Sequence, residues 1–241
     1  MRQGGEQSGG RRPLWLDLTI LGLAAVVFVT MVGLGNWQVR RLHWKLDLIE
    51  AVDSRAHGAA VAAPEGPVTA QDDAYLRVGT DGHFLHDLSR RVKAVTDLGP
   101  GYWVMTPLKT ADRTIWINRG FVPNGLARED WTTPEGEVHV EGLLRVTEPD
   151  GTLLESNDAK DERWVSRDVV ALSKDAGITD AAPYFIDADL TGDPTAWPRG
   201  GLTIIHFRNA HLSYALTWYA MAVLFLGAMI FVIWDRLRHR P

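Results

Sequence analysis

Two long uncharged segments lie near opposite ends of this chain, from Leu18 to Val39 and from Leu212 to Trp234, of 22 and 23 residues. As helices rising about 1.5 Å per residue, each spans roughly 33 Å, against a hydrocarbon core of about 30 Å. Helix is the form expected there, because lipid offers no partner for an open backbone group. Two crossings leave everything between them on one side. The predicted fold class is therefore a membrane α-helical hairpin of two transmembrane helices carrying one extracytoplasmic domain. The predicted division is a cytoplasmic tail at 1–13, a first span at 14–36, a juxtamembrane amphipathic helix at 37–57, a periplasmic domain at 58–208, a second span at 209–234 and a cytoplasmic tail at 235–241.

Charge argues for the orientation. Residues 36–210 hold 19 Lys and Arg against 27 Asp and Glu, whereas the rest holds 6 against 3. Arg2, Arg11 and Arg12 precede the first span, and Arg236, Arg238 and Arg240 follow the second, so both termini are expected in the cytoplasm of a bacterial inner membrane. Arg40, Arg41 and Lys45 pull the other way and are expected at lipid headgroups. Trp15 and Trp234 would mark the inner interface, with Trp37, Tyr214, Trp218 and Tyr219 toward the outer one. A cleaved signal peptide beginning at Arg11-Arg12 is the competing reading. It wants a shorter apolar core and a small-x-small cleavage site, which only Gly33-Leu34-Gly35 approaches.

The chain contains no cysteine. An exported domain without thiols is not a disulfide scaffold, a thiol oxidoreductase, a covalent c-type haem protein or a thiolate copper carrier. Any cofactor must use imidazole, carboxylate or aromatic contacts. Between the spans, an Ala/Pro/Gly stretch from Gly58 to Pro67 reads as a linker. Segments 75–84, 91–96, 102–108, 113–119 and 137–146 are rich in Val, Ile, Tyr and Trp and are separated by Gly, Pro, Asp or Asn. They predict a mainly β domain, an antiparallel sheet or small barrel of the α+β kind, with one helix at about 168–175 and a short strand at Pro183–Asp187.

Four blocks carry a family resemblance: Gly35-Asn36-Trp37-Gln38 through Arg41, Trp44 and Lys45; Gly101-Tyr102-Trp103-Val104-Met105-Thr106-Pro107-Leu108; Asn118-Arg119-Gly120-Phe121-Val122-Pro123; and Asn209-Ala210-His211 through Trp218-Tyr219. In this order, and covering about residues 14–235, they resemble the Surfeit-locus protein 1 family of cytochrome oxidase assembly factors. Phe121 stands where that family often has Trp, and Ala210 where a second Asn is common. The resemblance implies a non-enzymatic helper in building a haem-copper terminal oxidase, working around insertion of haem a into the catalytic subunit. Its implied partners are that subunit, haem A synthase and membrane lipid. It also implies His211 as a haem-iron ligand.

His211 lies about 11 residues, or about 17 Å, from the middle of its span, at the outer interface. Tyr214, Ala215 and Trp218 follow at i+3, i+4 and i+7 on its face. Imidazole ligates haem iron, Trp218 would cover the macrocycle, and Arg208 would meet propionates. An interfacial histidine beside Asn and Tyr equally caps a helix or bonds across helices. Trp37 is either a second wall of a haem slot or a belt anchor, and Gln38 bonds either a propionate or the other span.

Other clusters carry less. His83 and His86 are i and i+3, on opposite faces of a strand, and do not converge on a metal without a turn. His206 precedes the second span as a secondary candidate, Arg119 is expected to fix a turn or a buried carboxylate, and 157–162 is expected as a solvated loop. No nucleophile elbow, phosphate loop or dinucleotide fingerprint is present, and the acidic loop argues against nucleic acid. Three readings stay open: a haem-handling assembly factor, a structural adaptor that never touches haem, and an enzyme acting on haem or another membrane substrate, the last opposed by the lack of a convergent acid/base constellation.

Overall fold

The computed structural model describes residues 14–149, 151, 155–203, 205, 207 and 209–238. Their order is α1 (Leu14–His57), β1 (Val61–Ala62), β2 (Arg77–Phe84), β3 (Arg90–Thr96), β4 (Gly99–Lys109), β5 (Thr114–Pro123), β6 (Glu137–Val146), α2 (Val169–Ala176), β7 (Ala181–Ala188) and α3 (His211–Arg238). The chain divides into two compact units, Met1–Ile49 with Phe207–Pro241, and Glu50–His206.

The first unit holds the spans. The segments read separately as span and juxtamembrane helix are one unbroken 44-residue helix, α1, with no proline to interrupt it. At about 66 Å it is twice as long as a hydrocarbon core is thick. Val26, Val29, Val223, Leu224 and Phe231 are all more than 60% exposed, and almost none of either apolar segment is covered by protein. A core helix of a soluble protein would be buried, so these two helices need lipid around them. Thr19, Thr30 and Thr217 return their hydroxyls to the carbonyls of Trp15, Val26 and Ser213 within the helix.

Among the described residues, polar links tie α1 to α3 at both ends of the pair. At one end Arg236 Nη1 donates to Asp17 Oδ1 at 2.7 Å; at the other, His211 Nδ1 meets Gln38 Oε1 at 2.8 Å. Asp17 and Gln38 are 21 residues apart, about 32 Å along α1, close to the thickness of a hydrocarbon core. Between them the contact uses small residues. Ala215 and Ala222 are the buried side chains of α3, and a Cβ on Gly35 would lie 2.6 Å from the Tyr219 ring. Close helix packing in lipid favours such residues, because apolar bulk gains nothing there by leaving lipid.

The second unit is built on a seven-stranded sheet of order β1-β2-β6-β7-β5-β4-β3. An additional β2–β4 pairing, His83 with Lys109 and Phe84 with Leu108, closes β2, β6, β7, β5 and β4 into a small barrel. Val78, Leu108, Ile115, Ile117, Tyr184 and Ile186 fill it. Their sequence neighbours point outward, as a period of two requires, yet Trp116 and Phe185 are also fully buried. They lie under α2 with Met105, Trp164, Val169 and Leu172. This second layer explains why β5 and β7 are apolar on both faces. Asp168 caps α2 by accepting from Val170 N and Ala171 N, Gly177 ends it at φ +70°, and Trp116 Nε1 donates to Ser173 Oγ at 2.9 Å.

The stretch expected as a linker is partly a strand. β1 runs parallel to β2, Val61 beside Val78 and Ala62 beside Gly79, because the following residues are strapped to the barrel. Pro64 O accepts the Tyr184 hydroxyl at 2.8 Å, and Glu65 O accepts Arg113 Nη1 at 2.6 Å. β4 begins at Gly99 rather than 102, since Gly99 takes φ +98° and lets a two-residue turn pair it with Thr96.

Candidate functional site

The polar cluster at one end of the hairpin assembles from three short-range causes. α3 starts at His211, whose backbone N–H is taken by Asn209 Oδ1 at 3.3 Å, so the asparagine that precedes the helix caps it. Its imidazole then faces α1, where Gln38 Oε1 accepts from Nδ1. With the proton on Nδ1, Nε2 carries the lone pair, and it has no hydrogen bond among the described residues. Eight residues on, Tyr219 leans back toward the start of its helix and donates its hydroxyl to Asn36 Oδ1 at 2.7 Å, its ring seated on Gly35. Asn36, Gln38, His211 and Tyr219 thus form two stacked cross-helix hydrogen bonds.

The other expected site residues distribute unevenly. Trp218 is half-buried on the flank of the His211 face, while Tyr214 is 57% exposed further round. Ala215 is buried on the side turned to α1. Trp37 is 51% exposed and is not brought to His211. At about 100° per residue it stands about 160° round α1 from Gly35, on the side away from α3. Arg208 and His206 lie outside the described residues. Further along α1, Arg41 stacks on Trp44 at 3.8 Å, and Lys45 Nζ lies 4.9 Å from the Phe207 ring.

Asn36 and Tyr219 were not singled out as a pair by sequence reasoning. The available signal was an asparagine inside an uncharged span, which in lipid demands a partner.

In the second unit the motif residue Asn118 is structural. Its amide donates to Asp187 Oδ1 at 2.7 Å and its carbonyl accepts from Gly120 N at 3.1 Å. Asp187, 4% exposed, also accepts from Arg145, Arg167 and Thr203, and Glu148 bridges the two arginines. Burial, the largest single influence, lowers the Arg167 pKa, but the charge of Asp187 together with the hydrogen bond and charge of Glu148 outweighs it and holds the guanidinium above its ordinary value.

Among the described residues, Arg119 holds no carboxylate. It donates to Thr132 O and lies 5.1 Å over the Phe84 ring, and burial pushes its pKa down to about 10. His83 is exposed on β2. His86, in a 3-10 turn, bonds Pro134 O through Nε2 and stacks on Phe84 at 5.4 Å. The acidic stretch at 157–162 is largely exposed but ordered, since Asn157 Oδ1 accepts from Val165 N and Ser166 N and Asp158 pairs with Arg163.

The profile of the SURF1 family matches residues 25–223. Surfeit locus protein 1 of Mus musculus is 34% identical over 212 residues, covering 80% of this chain and 68% of that protein. The Homo sapiens protein of the same name is 34% identical over 215 residues, covering 80% and 71%. A SURF1-like protein of Monosiga brevicollis is 33% identical over 227 residues, covering 87% and 85%.

Proposed function

Because this chain belongs to the SURF1 family, we propose that it is an assembly factor for a haem-copper terminal oxidase, cytochrome c oxidase, aiding delivery of haem a to the catalytic subunit or its insertion there. The observation that carries the haem part of this reading is the imidazole of His211 with Nδ1 held by Gln38 and Nε2 free. A metal-bound histidine is typically fixed in this way, its second nitrogen donating to a neighbour that sets tautomer and ring orientation. The residues suit the group: Trp218 is half-buried on the flank of the His211 face, and Tyr214 offers exposed aromatic surface further round. Haem a is cargo in this reading, its iron taken by His211 and its isoprenoid tail left among lipid chains. Trp37 serves as an interfacial anchor rather than a haem wall. The role is non-enzymatic, the partners are the oxidase subunit and haem A synthase, and the location is a bacterial inner membrane with the β domain outside and both termini cytoplasmic.

The test is the full chain purified in detergent from a host that makes haem a. A Soret band is expected, lost in His211→Ala while the protein stays folded. Deleting the gene is expected to lower oxidase activity and its haem-a content with general haem synthesis intact. Full oxidase activity in the deletion strain would overturn the assembly role. One observation favours a second reading, a structural adaptor that never touches haem: the His211–Gln38 bond by itself joins the two spans. That reading predicts no Soret band in the wild type.

A further inference from the structure

A groove of about 330 Å³ opens on the β domain beside Phe84, Arg119, Thr132 and Pro134. Its walls include Phe84, Val138, Val140, Leu190 and Pro198, and the size falls at the small end of the range for ligand pockets, about 300–1,000 Å³. Three carboxylates also border it, and each is engaged. Asp189 pairs with Arg77, Glu141 pairs with Arg77 and His139, and Asp193 accepts from the backbone and hydroxyl of Thr195. The one cation in the groove without an acidic partner among the described residues is Arg119. It spends Nη2 on Thr132, while Nε and Nη1 make no hydrogen bond among the described residues.

A guanidinium held in a partly desolvated groove with no counter-charge is costly, and the depressed pKa of Arg119 reports the same condition. A structural role does not require it, since the bond to the Thr132 carbonyl would serve equally in solvent. We propose that this groove binds a carboxylate-headed amphiphile, its carboxylate on Arg119 and its apolar chain along Phe84, Val138, Val140 and Leu190. A monoanion is met by one charge-assisted hydrogen bond from Nη1 or Nε, whose N–H groups diverge around Cδ and do not make a two-toothed fork. A dianionic phosphate does not suit a groove with one free cation and three bordering carboxylates. The site is independent of haem handling by the spans.

The test photolabels the full chain in a non-ionic detergent with a medium-chain diazirine carboxylic acid, its methyl ester serving as control, and maps the labelled peptides. Labelling is expected within 132–141 and 188–200, competed by octanoate and not by octanol. Arg119→Gln should reduce it at least about tenfold, the loss expected when a hydrogen bond to a charged group is removed. Leu190→Glu, at a residue 46% exposed and so without consequence for folding, should reduce it similarly by repelling the carboxylate. Equal labelling of these peptides by the ester, or unchanged labelling in both variants, would overturn the proposal.

Discussion

Asp187→Asn tests whether the buried ionic network holds the β domain together. The Asp187 carboxylate, its side chain 3% exposed, accepts from Asn118 at 2.7 Å, Arg145 at 2.9 Å, Arg167 at 3.1 Å and Thr203 at 2.9 Å. An amide of the same shape keeps one acceptor oxygen and turns an NH₂ group toward donors. The two guanidiniums, 19% and 13% exposed, lose the charge between them. Removing one partner of a buried pair costs about 3–5 kcal/mol. Glu148 remains 2.6 Å from Arg167 and 3.4 Å from Arg145, so the lower end, about 3 kcal/mol, is expected. For a unit of this size that lowers Tm by about 6–12 °C. The assay is thermal unfolding of the full chain in detergent, followed by tryptophan fluorescence, with Lys93→Ala as control. Lys93 and Glu155 form a 2.6 Å pair that is 47% and 50% exposed, so solvent screens it and its loss should leave Tm nearly unchanged. An Asp187→Asn protein within 2 °C of wild type (about half a kcal/mol), or no worse than Lys93→Ala, would refute the reasoning.

Three further outcomes are expected. Gln38→Ala should weaken haem binding about 10- to 100-fold with His211 in place, as removal of a ligand's orienting partner does; a Soret titration unchanged from wild type would contradict this. Gly35→Ala should destabilise the hairpin by about 1–3 kcal/mol by driving the Tyr219 ring off its seat, whereas Gly33→Ala, with nothing within 4 Å, should be neutral or slightly stabilising; unfolding in mixed detergent and dodecyl sulfate separates the two, and equal effects would dismiss the packing argument. His139, whose Nδ1 lies 2.7 Å from Asp81 directly opposite on β2, is held above its ordinary value of 6.5 first by that hydrogen bond, with Glu141 adding to it. A raised folded pKa means that its contribution is full below the unfolded value and is lost as pH rises through the folded one. Proton NMR of the imidazole should show Asp81→Asn lowering the pKa, and an unchanged titration would rule out the pairing.

The membrane hairpin was legible because an uncharged run of 22 or 23 residues carries its meaning in its own length. The strands were legible for a similar local reason, with 137–146 matching β6 residue for residue. What local pattern did not disclose was the second use of each strand. The outward side of β5 and β7 is buried only because α2 covers Trp116 and Phe185, and β1 exists only because Pro64 and Glu65 are tied to Tyr184 and Arg113. Asp187 is likewise unremarkable at a strand end until Arg145 and Arg167 arrive from elsewhere in the chain.

At the candidate site, helical phase contained more than was drawn from it. On the helical wheel of α1, Gln38 lies about 60° to one side of Gly35 and Asn36 about 100° to the other, whereas Trp37 lies about 160° away. With Gly35, Asn36 and Gln38 all meeting the second span, Trp37 points away from it, as its exposure indicates. The choice between a propionate and the other span for Gln38 was beyond sequence, because it depends on which of α3's faces meets α1. That face is set by Ala215 and Ala222, whose small size matters only once a neighbouring helix is close enough to use it. Asn36 completes the argument. An amide in an uncharged span must find a partner, α3 offers aromatic hydroxyls as donors, and of Tyr214 and Tyr219 only the latter lies on the face that carries Ala215 and Ala222.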